Sequence, residues 1–127
     1  MLSRLFEKNP EKIRISEMLI NVAGDYVAMG EDIADKQELL NAAVSAWNIA
    51  CLKSDKRQEA INKFMKEYKK LNPRFSRNDF KDEEENIKLL IKQKDKRYPE
   101  VKVQIVNAIF QEINGKSHIA VASARME

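Results

Sequence analysis

The stretch from Lys36 to Leu52, KQELLNAAVSAWNIACL, constrains this chain more than any other. Leu39, Leu40, Ala42, Ala43, Val44, Ala46, Trp47, Ile49, Ala50, Cys51 and Leu52 leave only a thin polar seam of Asn41, Ser45 and Asn48 at helical spacing. A helix that is apolar on nearly every side has to be surrounded by other elements. Its alanines allow close approach, and Trp47, the only tryptophan, supplies the largest block of apolar surface, so this segment is expected to be the central helix. Asp35 is a candidate N-cap with Glu38 three residues on, as in a capping box.

The segments on either side read as further helices. Asn9 and Pro10 form a helix start, followed by Ile15, Met18, Leu19, Val22, Tyr26 and Met29 at helical spacing, with Gly30 placed to close the helix. Leu2, Leu5 and Phe6 give the first eight residues a small apolar face. Gly24 interrupts the interior and marks a kink, a close contact or an early end capped by Asp25. After a turn in which Ser54 or Asp55 can act as cap, Arg57, Ile61, Phe64, Met65, Tyr68 and Leu71 predict a third helix, ended by Asn72 and Pro73. Residues 74–78, RFSRN, read as a loop. Asp79 then caps a fourth helix with Phe80, Ile87, Leu90 and Ile91 on its apolar side, glutamates in its first turns and lysines in its last, which complements the helix dipole.

The pattern changes beyond Tyr98 and Pro99. Two β-rich runs, VKVQIVNAIFQEI and KSHIAVASAR, flank Asn114 and Gly115, the preferred pair for a type I′ hairpin turn. Pairing Ile113 with Lys116 puts Phe110 opposite Ile119, Ala108 opposite Val121, Ile109 opposite Ala120 and Ile105 opposite Ala124. Val106, Ala108, Phe110, Ile119 and Val121 then form the bulkier face, assigned to the helices. The other face is a flatter apolar strip of Ile105, Ile109 and Ile113 beside Ala120, Ala122 and Ala124. A lone hairpin is marginal in water, so this one has to pack on the helices. The expected architecture is α+β: one domain over residues 1–127, with four helices over about 10–98 and an antiparallel hairpin over about 101–126 packed on them.

Composition excludes several function classes. With 34% charged and 43% hydrophobic residues, three glycines and three prolines, the chain reads as helix-rich and folded. Cys51 is its one cysteine and His118 its one histidine, too few for a Cys/His zinc centre or a multi-histidine site. Glycines at 24, 30 and 115 cannot build a phosphate-binding loop. No segment has the roughly 20 apolar residues a membrane span needs, and no leader pattern opens the chain, so a cytoplasmic protein without membrane contact is expected. Residues 82–85, DEEE, read as a solvated helix start rather than a cation site, and His118 as a surface histidine near the turn. No catalytic residue, cofactor or metal ligand is expected, and an enzyme ranks last among the functional classes.

Two features remain. The flat hairpin strip, Ile105, Ile109, Ile113, Ala120 and Ala122, suits a second copy related by a two-fold axis, and the first expectation is a non-enzymatic protein-interaction or regulatory module that self-associates through the hairpin. Charge supplies the alternative. Residues 1–52 carry five basic against eight acidic side chains, whereas residues 53–102 carry sixteen against ten. Lys63, Lys66, Lys70, Arg74, Arg77, Lys88, Lys92 and Lys96, interleaved with Tyr68, Phe75, Phe80 and Tyr98, form a candidate nucleic-acid surface on the helices of residues 56–97.

Overall fold

A computed structural model describes residues 14–125. Four helices, α1 (Ile15–Ala28), α2 (Ile33–Ala50), α3 (Ser54–Leu71) and α4 (Arg77–Arg97), precede an antiparallel hairpin of β1 (Val103–Ile113) and β2 (Lys116–Arg125). The fold is α+β, with the hairpin packed on the helices as its pattern requires. The Asn9–Pro10 helix start and the apolar face of Leu2, Leu5 and Phe6 lie outside the described residues.

Helix α2 is central. It packs against α1, α3, α4 and β1, and Leu40, Ala46, Trp47 and Ala50 are almost wholly removed from solvent. Burial of a side chain as large as Trp47 favours folding by roughly 2–3 kcal/mol. Its indole is not left polar and alone, because Nε1 donates to Val103 O at 2.8 Å. Around it the core draws Leu19 and Val27 from α1, Ile61 and Met65 from α3, Ile87 and Leu90 from α4, and Ile105, Ala108 and Phe110 from β1.

Helix starts differ from expectation in a consistent way. Asp32, not Asp35, caps α2, its carboxylate accepting from Asp35 N at 2.8 Å. Ser76, not Asp79, caps α4 in a full capping box with Asp79 at the third position, so part of the expected loop is helical. Each expected cap therefore sits at the third helical position, one partner too late. Lys53 precedes α3 without a side-chain cap bond, so neither Ser54 nor Asp55 serves there.

Helix α1 runs through Gly24 without interruption. Gly30 does close that end of the chain, but by space: a Cβ there would meet Lys36 N at 2.8 Å. Leu71, expected on the apolar side of α3, is 79% exposed at the last residue of that helix.

The hairpin turn forms at Asn114 and Gly115, both with positive φ (53° and 77°), as the type I′ geometry demands. Register follows expectation from Ile113↔Lys116 to Asn107↔Ala122 and then breaks. Val106 is an extra residue between Asn107↔Ala122 and Ile105↔Ser123, so Gln104, not Ile105, faces Ala124. A bulge of one residue exchanges the faces beyond it. Ile105 is consequently turned inward and 2% exposed, while Val106 is turned outward and 69% exposed, the reverse of the expected assignment.

Candidate interaction surfaces

The outer face of the hairpin carries an apolar strip, altered in membership and crossed by the polar pair Gln111↔His118 and by Asn107. Ile105 is withdrawn from it into the core, and Val106 replaces it. Val106, Ile109 (45% exposed) and Ile113 (50%) now lie beside exposed Ala120, Ala122 and Ala124. Four of the five residues expected to mediate self-association, Ile109, Ile113, Ala120 and Ala122, thus share one solvent-facing surface. His118 is exposed on β2, opposite Gln111 near the turn.

The two long edges of this hairpin are not equivalent. Along β1, α2 supplies side-chain amides in place of a neighbouring strand. Asn48 Nδ2 donates to Ile105 O at 2.9 Å, and Asn48 Oδ1 accepts from Ile105 N at 2.7 Å. Eleven residues earlier, Gln37 Nε2 donates to Ala108 O at 2.9 Å and its Oε1 accepts from Phe110 N at 2.8 Å. Three turns of helix separate the two amides, so both point to the same side. These bonds satisfy the outward backbone groups of a strand that is half buried. The amides went unread as functional groups in the sequence; Asn48 appeared only as part of a seam, and nothing in its spacing distinguishes a strand clamp from a solvated polar residue. Along β2 the described residues provide no such cover.

The basic residues do not converge. Lys63, Lys66, Lys70, Arg74, Arg77, Lys88, Lys92 and Lys96 are all exposed, and the three of them that line grooves do so on different sides of α3. Lys63 lines the α2–α3 side, whereas Arg77 and Lys88 line the α3–α4 side with Lys69, Lys81, Glu84 and Glu85. Lys88 is held by Glu84 at 3.0 Å, and Lys70 reaches Glu67 at 3.6 Å. Phe64, Tyr68, Phe75 and Phe80 gather into one aromatic cluster at the α3–α4 turn, in which Phe75 stays exposed between Arg74 and Arg77. Tyr98 is elsewhere, packed on Trp47 with ring centroids 6.3 Å apart and accepting from Asn21.

Between α2 and α3 an open groove of about 830 Å³ has Ala42, Ile49, Phe64 and Leu71 among its walls and the Asn41–Ser45 seam at its floor. The seam is bonded within its own helix: Asn41 accepts from Gln37, and Ser45 donates to Asn41 O.

Two buried ionisable groups escaped the sequence reading. Glu83, placed there among solvated glutamates, is buried and accepts from the Tyr26 hydroxyl with both oxygens, at 2.9 and 3.1 Å. Burial first, and then the Glu83 charge, raise the Tyr26 hydroxyl well above the ordinary tyrosine range. Tyr68 is pushed up to about 12 by burial and, to a lesser degree, by Glu83, Asp79 and Glu38. Lys94 is fully buried over the Trp47 ring and donates to Tyr98 O and Val101 O, tying the end of α4 to the segment entering β1. Burial lowers its pKa and raises that of the neighbouring Cys51 thiol. Both Glu83 and Lys94 fall on the helical stripe of Phe80, Ile87, Leu90 and Ile91, and that position was the signal available in the sequence.

Among the described residues no group of three or more His, Cys, Asp or Glu side chains could hold a metal ion, and no helix is long and apolar enough to cross a membrane. Comparison of the chain with protein-family models, with curated proteins and with solved structures returned no match.

Proposed function

We propose that this protein is a non-enzymatic interaction module that self-associates through its C-terminal hairpin. The observation that carries the reading is the exposed apolar strip of Val106, Ile109 and Ile113 beside Ala120 and Ala122. Apolar side chains clustered on one sheet face are a recognised mark of a protein contact, and a second copy is the partner whose surface matches by symmetry. Ala120 borders both the strip and the uncovered side of β2, so Ala120→Lys introduces charge at the contact while its side chain remains in solvent in the monomer. Sedimentation should give a dimer for wild type and a folded monomer for Ala120→Lys, with circular dichroism as the fold check. A wild type that stays monomeric at high micromolar concentration removes the reading.

A second reading, single-stranded nucleic acid on the helical surface, is favoured by exposed Phe75 between Arg74 and Arg77, an aromatic available for stacking beside two cations. The interspersed carboxylates of Glu67, Glu84 and Glu85 oppose it. Binding to an oligonucleotide should be strong near 50 mM salt, fall steeply as salt rises, and weaken in Arg74→Glu/Arg77→Glu. No binding at low salt rejects it.

A further inference from the structure

We infer that two copies of this chain join along β2, edge to edge and antiparallel, to make a continuous four-stranded sheet with Val121 on the two-fold axis. The inference rests on the hairpin reading above and specifies the geometry of that contact.

Hydrogen-bond accounting leads to it. In an antiparallel pair, residues opposite one another alternate between exchanging their backbone bonds and turning them outward. The bonds from Gln37 and Asn48 identify the outward set on β1 directly, since they engage Ile105, Ala108 and Phe110. Their partners across the ladder are Ser123, Val121 and Ile119, and alternation adds Ser117 and Arg125, the latter opposite Val103, whose O accepts from Trp47. Those five residues turn their N–H and C=O groups away from β1. On β1 the corresponding groups are met by α2, and on β2 no described side chain meets them.

An open edge is ordinarily guarded by charge, proline or a bulge. Between Lys116 and Arg125 the strand reads SHIAVASA, with no charged residue, no proline and no glycine. The register break lies on β1, so β2 itself is unbroken. A groove of about 550 Å³ runs between Arg14–Ser16 at the start of α1 and the β2 side of the hairpin, bordered by His118, Ala120 and Ser123, which leaves lateral room for a strand.

Symmetry then selects the register. A two-fold axis through Val121 pairs Ser117 with Arg125 and Ile119 with Ser123 of the other copy, each pair recurring by symmetry, and pairs Val121 with itself. Five hydrogen-bonded pairs exchanging two bonds each give about ten hydrogen bonds and use every outward group from 117 to 125. Moving the axis by one residue either way leaves an outward residue at one end without a partner. The chosen register places Val121, half-buried on the helix side, against its symmetry mate, and it sets Ala120 opposite Ala122 of the other copy, so that the two outer strips meet through small alanines.

Beside the axis Ala120 faces Ala122 of the other copy in a non-hydrogen-bonded pair, with Cα atoms about 4.5 Å apart, inside the range a disulfide spans. Cysteines therefore read the geometry. In a Cys51→Ala background, Ala120→Cys, Ala122→Cys, an equimolar mixture of the two, and Ile109→Cys are equilibrated in a glutathione redox buffer at high micromolar protein and resolved on non-reducing gels, with circular dichroism confirming each fold. The mixture should convert almost wholly to the mixed disulfide dimer, while Ala120→Cys or Ala122→Cys alone should stay reduced. Cross-linking at Ile109→Cys but not in the mixture means that the strips stack face to face; that outcome overturns the edge geometry and leaves self-association through the hairpin intact. No cross-linking at any position, together with a monomeric wild type, overturns both.

Discussion

Asn48 of α2 and Ile105 of β1 share two hydrogen bonds, the side-chain amide of one closing on the backbone N–H and C=O of the other at 2.7 and 2.9 Å. Substituting Asn48 by leucine keeps the volume and removes both partners from backbone groups of a residue that is itself buried. An unsatisfied buried donor or acceptor costs about 1–3 kcal/mol, so Asn48→Leu should lower stability by about 2–4 kcal/mol. Urea denaturation measures the loss, and hydrogen exchange should show the Ile105 amide losing protection while the Ile109 amide, bonded within the hairpin, changes less.

Lys94 makes a prediction in pH. Its pKa is depressed in the fold by burial, so as pH rises toward the ordinary lysine value of 10.5 the folded protein releases the proton before the unfolded chain does. The unfolded state then binds more protons, and the contribution of Lys94 to stability increases with pH over that window. A neutral amine still has two N–H groups for Tyr98 O and Val101 O. Lys94→Met should cost about 2 kcal/mol at neutral pH by orphaning those carbonyls. Subtracting its stability curve from that of wild type should leave a difference that grows as pH rises toward 10.5. A flat difference would mean that the ammonium is not desolvated. Tyr68, held up to about 12, acts in the opposite direction only above its ordinary value of 10, so the two effects separate on the pH axis.

How much of this was legible depends on whether a residue's local pattern or its distant partner decides its place. The hairpin turn was readable because Asn114–Gly115 suits positive φ as few pairs do, and α2 was readable because an all-round apolar helix has one possible environment. Caps were displaced because Asp32 and Asp35, like Ser76 and Asp79, are both good capping residues three apart, and only the bonds tell which leads. Gln37, Asn48 and Glu83 owe their roles to partners 57 to 73 residues away, and composition carries no trace of such pairings. The Val106 bulge was invisible for another reason. VKVQIVNAIF contains no glycine or proline to mark it, and Ile and Val are equally acceptable inside or outside by type.

That ambiguity of type makes the last prediction sharp. Without the bulge, alternation puts Val106 with Ala108 and Phe110 in the core and leaves Ile105 on the surface; with it, the two exchange places. Val106→Lys should therefore change stability by less than about 0.5 kcal/mol, as surface substitutions do. Ile105→Lys puts an unpaired charge among Trp47, Asn48 and the inner hairpin face and should prevent folding or cost more than about 4 kcal/mol. Deleting Val106 tests the same point from the backbone, because the register then runs unbroken from Asn107↔Ala122 to Ile105↔Ser123 and Ile105 stays on the inner face, so the deletion should leave the protein folded. Thermal and urea melts of the three variants decide it. If Val106→Lys unfolds the protein while Ile105→Lys is tolerated, the strand runs without a bulge, Ile105 returns to the outer strip, and the clamp between Asn48 and Ile105 is lost with it.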